Sequence, residues 1–269
     1  MSECNHDCEH CASKGSCGEI VKSKLDPRAS VKKVVAVLSG KGGVGKSFVT
    51  SSLAVYLARS GKKVGVLDAD ITGPSIPKAF GLSGTVYGEE NLIYPMRSKK
   101  ENIQVISSNL LLENPEDPII WRGPMLANLV KQFYENVLWE ELDYLLIDMP
   151  PGTGDVTLTV FQSIPIDDLI IVTAPQDLVS LIVTKAIKMA EAMNIHLLGV
   201  IENMSYLECP KCNEKIPLFG ESHLDEFAKK MNFKVLAKLP LNSENTKKMD
   251  NGLIEEVDCE NIKDAIKSL

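Results

Sequence analysis

The sequence contains no apolar run approaching the roughly 20 residues that a membrane-spanning helix needs, and no run of basic residues longer than two. The first absence argues against a membrane partner. The second argues against a nucleic-acid partner, because phosphate contacts need clustered Lys and Arg, and here acidic residues outnumber basic ones to leave a formal charge of -7. Pairs such as Lys62-Lys63, Lys99-Lys100, Lys229-Lys230 and Lys247-Lys248 are scattered, as on a solvated surface. The first residues, Met1-Ser2-Glu3-Cys4-Asn5-His6-Asp7, lack the positive and apolar regions of a secretory signal. The expectation is a cytoplasmic protein. Thiols stay reduced in that compartment, so the seven cysteines point to metal or redox chemistry ahead of disulfides.

What is present is enough apolar residue, 44% of 269, to bury one large core. Residues 1–30 stand apart as a tail with Cys4, Cys8, Cys11 and Cys17 and no apolar periodicity. Residues 31–269 read as one domain. Short runs, most of them continuously apolar as in parallel strands covered on both faces, occur at Val34–Leu38, Val64–Leu67, Ile103–Ile106, Leu145–Ile147, Leu169–Val172, Leu198–Ile201 and Val235–Leu239. Helices are predicted over Lys46–Arg59, Met125–Leu138, Leu178–Met193 and Ser222–Met231. Gly81–Arg97 reads as a hairpin or excursion. The alternation predicts an α/β fold, a doubly wound, mainly parallel sheet flanked by helices, with ligands beyond the carboxyl ends of the strands.

The first strand runs into Gly40-Lys41-Gly42-Gly43-Val44-Gly45-Lys46-Ser47 and then a helix, the setting a phosphate-binding loop requires. Its glycines let backbone N–H groups face phosphate oxygens, and the helix adds a partial positive end. Lys46 is expected to reach the β- and γ-phosphates and Ser47 to ligate Mg²⁺. Lys41 is a second lysine that an ordinary loop does not need: it is either a solvent-exposed side chain or one that reaches a nucleotide in a facing subunit. Asp68-Ala69-Asp70 closes the next strand, with Asp70 placed to orient an attacking water and Asp68 to hold Mg²⁺ through water; helix-capping acids are the alternative. Asp148 ends another strand before Met149-Pro150-Pro151-Gly152-Thr153-Gly154-Asp155 and reads as a magnesium-binding carboxylate followed by a loop that senses the γ-phosphate. Asn203 is a candidate for the base edge, or a turn former.

Cys209-Pro210-Lys211-Cys212 supplies two ligands where a tetrahedral zinc or an iron–sulfur cluster takes four. A two-fold dimer brings a second pair to the axis and completes a Cys₄ site; zinc and a redox pair are the other readings. In the tail, Cys8, Cys11 and Cys17 with Cys4 fit a cluster or zinc, and His6 and His10 read as plain tail residues, with a place in a zinc site as the alternative. Cys259 reads as structural. Trp121-Arg122-Gly123-Pro124-Met125 precedes a helix and offers a partner anchor or a packed loop.

Taken together, the loop with its second lysine resembles the signature-lysine class of dimeric P-loop ATPases, the MinD, ParA and nitrogenase iron-protein group. Asp68–Ser75, Trp121–Met125, Asp148–Asp155 and Glu202-Asn203-Met204-Ser205-Tyr206 followed by Cys209 and Cys212 resemble its Mrp/ApbC branch. The resemblance implies a homodimeric ATPase that carries an iron–sulfur cluster to apo-proteins, with ATP and Mg²⁺ bound across Gly40–Phe48. It implies a [4Fe–4S] cluster bridged by Cys209 and Cys212 of both subunits, Lys41 acting in trans, and Asp70 serving hydrolysis. The tail resembles the ferredoxin-like motif of eukaryotic relatives at Cys8, Cys11 and Cys17, whereas Cys4 lies much nearer to Cys8 than that motif's first cysteine does. A positioning ATPase of the MinD/ParA kind is the alternative. It needs a basic amphipathic C-terminal helix or a basic patch, and Asn261–Leu269 has no strong basic face.

Overall fold

The computed structural model describes residues 22–89, 91–112, 114, 123–175, 179–267 and 269, and of Val179 and Ser180 the backbone alone. The four tail cysteines, His6, His10, Trp121 and Arg122 lie outside the described residues.

The strands are β1 (Ser30–Ser39), β2 (Val64–Asp68), β3 (Gly88–Glu89), β4 (Leu92–Ile93), β5 (Met96–Arg97), β6 (Gln104–Ile106), β7 (Glu141–Asp148), β8 (Asp168–Thr173), β9 (His196–Glu208), β10 (Lys215–Ile216) and β11 (Val235–Pro240). The helices are α1 (Lys46–Arg59), α2 (Ile76–Ala79), α3 (Gly123–Glu135), α4 (Asp155–Ser163), α5 (Val179–Ala192), α6 (Leu224–Met231), α7 (Ser243–Asp250) and α8 (Lys263–Ile266). Among the described residues one sheet has the order β10-β9-β8-β1-β7-β2-β6-β5, with β11 also on β9. Its central pairs are parallel; β5 on β6 and β10 on β9 are antiparallel. The predicted doubly wound sheet is therefore the observed one.

The apolar runs are continuous because both faces of the sheet are covered. On one face Phe133, Tyr134, Trp139, Phe161, Val183 and Ile187 pack from α3, α4, α5 and their connections. On the other, Val49, Leu53, Phe80, Ile254 and Ile262 pack from α1, α2 and the C-terminal segment. Because β1, β2, β7, β8 and β9 run the same way, Ser39, Asp68, Asp148, Thr173 and Glu202 reach one edge of the sheet, with Asp68 opposite Asp148 and Thr173 opposite Glu202.

Three elements depart from expectation. Helix α4 is rich in β-branched residues, which lowers its local helix propensity; packing of Val160 and Phe161 into the core overrides this. Helix α7 has no buried residue and therefore no apolar stripe to read; the Asn242 side chain caps it, accepting from Glu244 N–H at 2.8 Å and Asn245 N–H at 3.2 Å. Strand β9 runs seven residues beyond the predicted Ile201, to Glu208. Its extension is half-exposed, and β11 and then β10 hold it. The excursion at 81–97 contains the β3–β4 hairpin and β5.

Candidate nucleotide site and cysteine hairpin

The loop Gly40–Ser47 joins β1 to α1, with Gly43 at φ 81° and Gly45 at φ 78°, left-handed values that favour glycine. A Cβ on Gly45 would stand 2.2 Å from Asn203 Nδ2, so both backbone and space demand glycine there. Lys46, buried at the start of α1, places its ammonium 2.8 Å from Asp148 Oδ2. Ser47 Oγ donates to the same oxygen at 2.6 Å, and Thr50 Oγ1 donates to Asp148 Oδ1 at 2.7 Å. Thr50 was not singled out from the sequence; its signal is its place one turn after Lys46, on the same helical face. A cavity of about 240 Å³ opens beside these groups, with Gly42, Gly43, Lys46, Ser47, Asp70 and Pro151 among its lining.

The two acids of the Asp68–Asp70 pair separate. Asp68 is fully buried and accepts from Asp70 N–H at 3.2 Å, Ser107 Oγ at 3.1 Å and Ile76 N–H at 3.4 Å. Burial first, and the charge of Asp148 second, push its carboxyl up to about 8. Asp70 lines the cavity; burial also raises its pKa, with the Lys46 charge opposing. The Pro150–Gly154 loop is tied to the phosphate loop where Gly152 N–H donates to Ser39 O at 2.7 Å. The Lys41 ammonium has no ion-pair partner among the described residues, and Ser39 Oγ donates to the Lys41 carbonyl at 2.9 Å.

A second cavity of about 180 Å³ adjoins the first, lined by Phe48, Asn203, Met204, Pro240, Asn245 and Met249 among others. Phe48 and Met249 face both cavities. Asn203 is buried and its Nδ2 donates to Val44 O at 2.9 Å, so one end of its amide is spent on the phosphate loop. Met249 and Asn245 escaped sequence reading because α7 shows no apolar periodicity.

Glu202 is the last β9 residue paired to β8; beyond it β9 runs on against β11 as far as Tyr206 and against β10, with the turn into β10 at Cys209–Cys212. Cys209 N–H donates to Glu214 O at 2.9 Å and Asn213 N–H to Cys209 O at 2.8 Å, with Asn213 at a left-handed φ of 59°. This turn curls backbone N–H groups around one sulfur: those of Lys211 first and Cys212 second, then the Cys212 thiol, hold the Cys209 thiol below its usual range. The Lys215 ammonium sits 4.5 Å over the Tyr206 ring and stiffens the hairpin. Among the described residues no three His, Cys, Asp or Glu side chains gather as a metal site, so the pair offers two ligands. Cys259 is buried, and burial pushes it up to about 11, which makes it inert.

The family model described as NUBPL iron-transfer P-loop NTPase matches residues 30–269. The chain is 46% identical over 263 residues to an iron–sulfur cluster carrier protein of Clostridium perfringens, covering 94% of this chain and 92% of that one. It is 44% identical over 263 residues to an iron–sulfur cluster carrier protein of Methanocaldococcus jannaschii, covering 94% and 90%. Among solved structures it resembles the nucleotide-binding protein of Archaeoglobus fulgidus in complex with ADP, at 44% identity and a TM-score of 0.76 over 84% of this chain and 88% of that one. The fold is shared with MinD in the MinC:MinD complex of Aquifex aeolicus, at a TM-score of 0.63 and 21% identity over 87% and 94% of the chains. On the extent of these matches, the chain belongs to the NUBPL iron-transfer P-loop NTPase family.

Proposed function

We propose that this chain is a cytoplasmic, ATP-hydrolysing iron–sulfur carrier that works as a homodimer. Its cargo is a [4Fe–4S] cluster held by Cys209 and Cys212 of both copies and delivered to apo-proteins. The observation that carries this reading is strand β9, which touches the phosphate loop through Asn203 and ends in a pair of thiols, one already biased toward thiolate. The names of the relatives and the ADP in the Archaeoglobus structure support both halves. Two ligands per copy and the exposed Ile216, Leu218 and Phe219 beside them favour a second copy at this hairpin.

At the nucleotide, the phosphates occupy the cavity at Gly42–Ser47 and the base occupies the adjoining one, against Phe48 and with Asn203 Oδ1 at its edge. Lys46 exchanges Asp148 for the β- and γ-phosphates. That leaves Asp148, with the Ser47 hydroxyl, to hold magnesium; an anionic oxygen and a hydroxyl 2.6 Å apart are a donor set that suits this hard cation. Magnesium supplies charge neutralisation on the phosphate oxygens. Asp70 orients the attacking water from the cavity wall, while Asp68 lies buried beside Asp148 and is directed to Ser107 and Ile76. Lys41 reaches the nucleotide of the facing copy. In the tail, Cys4, Cys8, Cys11 and Cys17 form a separate metal or cluster site.

The positioning-ATPase alternative is disfavoured by the C-terminal segment: Ile262 and Ala265 are buried in the core, so that helix is not presented to a membrane. The carrier reading is tested by anaerobic reconstitution followed by transfer to an apo-acceptor. Transfer is expected from the wild type and not from Cys209→Ala/Cys212→Ala. Equal transfer by both would refute it.

A further inference from the structure

Glu202 is buried, 2% exposed, on the strand that carries the cysteine hairpin, and nothing in the nucleotide chemistry uses it. Its Oε2 accepts from Ser205 Oγ at 2.5 Å and its Oε1 from Ser222 Oγ at 2.8 Å. Ser205 stands on the outgoing strand, one residue before Tyr206, the last β9 residue paired to β11 on the way to Cys209. Ser222 stands where the chain returns, just ahead of α6, and its hydroxyl also accepts from Leu224 N–H at 3.3 Å. One carboxylate therefore fastens both feet of residues 205–222. A buried carboxylate met by two hydroxyls costs desolvation that an apolar side chain at the same place would not.

The next two residues line the cavity beside the phosphate loop. The Asn203 amide donates to Val44 O at 2.9 Å, inside the phosphate loop. Met204 adopts a left-handed φ of 57° in mid-strand, a conformation that costs a non-glycine residue energy and clusters at functional sites. Its methyl lies 3.6 Å from where a Cβ on Gly45 would stand. Residues 202–205 thus form a junction with the phosphate loop on one side and the hairpin's two feet on the other.

We propose that Glu202 is a positioning residue that makes the cysteine hairpin move as one body with the phosphate loop. A shift of the Val44 carbonyl on nucleotide binding is passed to Asn203. With both feet bolted to Glu202 the shift reorients Cys209 and Cys212 together; with the feet loose it is absorbed within residues 205–222. This inference rests on the reading of the loop as a nucleotide site and of the two cysteines as cluster ligands.

The test uses the full-length chain, reconstituted anaerobically, as wild type, Glu202→Ala, Glu202→Gln and Ser222→Ala. The decay of the cluster's visible absorption under an iron chelator is followed with and without a magnesium complex of a non-hydrolysable ATP analogue. In the wild type, the nucleotide is expected to change that rate by roughly fivefold or more, the low end of coupling between linked sites. In Glu202→Ala the ratio is expected to fall to within about twofold of unity, with analogue affinity kept within about threefold. Glu202→Gln retains an acceptor for one serine and a donor for the other and is expected to recover most of the ratio. Ser222→Ala loosens one foot and is expected to fall between, which keeps the test decisive should Glu202→Ala not fold. A wild-type ratio in both Glu202→Ala and Ser222→Ala, or in Ser222→Ala alone if the other variant does not fold, overturns the inference, as does a loaded wild type that ignores the analogue. A wild type that takes up no cluster overturns the carrier reading itself, and this inference with it.

Discussion

Asp68 and Asp148 end adjacent strands as paired residues, both out of contact with water, with Lys46 as the cation beside them. Raised to about 8 in the folded chain against about 3.9 when unfolded, Asp68 binds its proton more tightly in the native state. Its contribution to stability is fully present below pH of about 4 and is lost as pH climbs toward 8. The melting temperature of the nucleotide-free protein is therefore expected to fall from about pH 5 to 8, and Asp68→Asn to flatten that fall; thermal melts across this range check it, and parallel slopes would count against it. At the thiols, Cys209 is held low by backbone N–H groups whereas Cys259 is buried and pushed up to about 11. Iodoacetamide labelling with peptide mass spectrometry is expected to find Cys209 modified well before Cys259 in the native protein, and the difference to vanish in denaturant. Comparable native rates would contradict the turn geometry.

At the level of elements, what the sequence made legible was set by local physics. Phosphate-loop glycines, acids at strand ends and continuously apolar strands each have a short-range cause, so the places of Gly40–Ser47, Asp70 and Asp148 in the fold, and the central sheet itself, were readable. What stayed hidden depends on contacts distant in sequence. The β9 extension from Glu202 to Glu208 has no apolar run and exists because β11 and β10 pair with it. Glu202 looks like any strand-end acid until Ser222 folds back onto it. The second cavity stayed hidden because α7 has no fully buried residue and is recognisable only by its cap. That cap gives a test: Asn242→Ala is expected to cost about 1 kcal/mol of stability. By loosening the helix that presents Asn245 and Met249, it is also expected to weaken ADP binding. Calorimetric melts and ADP titration measure the two effects, and unchanged ADP affinity would show that α7 does not form the base site.

For the whole molecule, the proposed dimer rests on two features: a lysine in the phosphate loop without an ion-pair partner among the described residues, and a two-ligand thiol pair on an exposed turn. A two-fold axis that completes both is the simplest assembly. If Lys41 acts across that axis, Lys41→Ala is expected to keep nucleotide affinity within a few fold while lowering ATP turnover on the order of 10³-fold. A parallel loss of binding and turnover would place Lys41 in its own copy's site. The most direct measurement of the central claim is the mass and the iron and acid-labile sulfide content of the protein lacking residues 1–21, purified without oxygen, so that the tail cysteines are out of the count. The expected result is a dimer with about four irons and four sulfides per two chains, lost together with the pigment in Cys209→Ala/Cys212→Ala. A monomer with or without nucleotide, or iron that survives the double substitution, would contradict it.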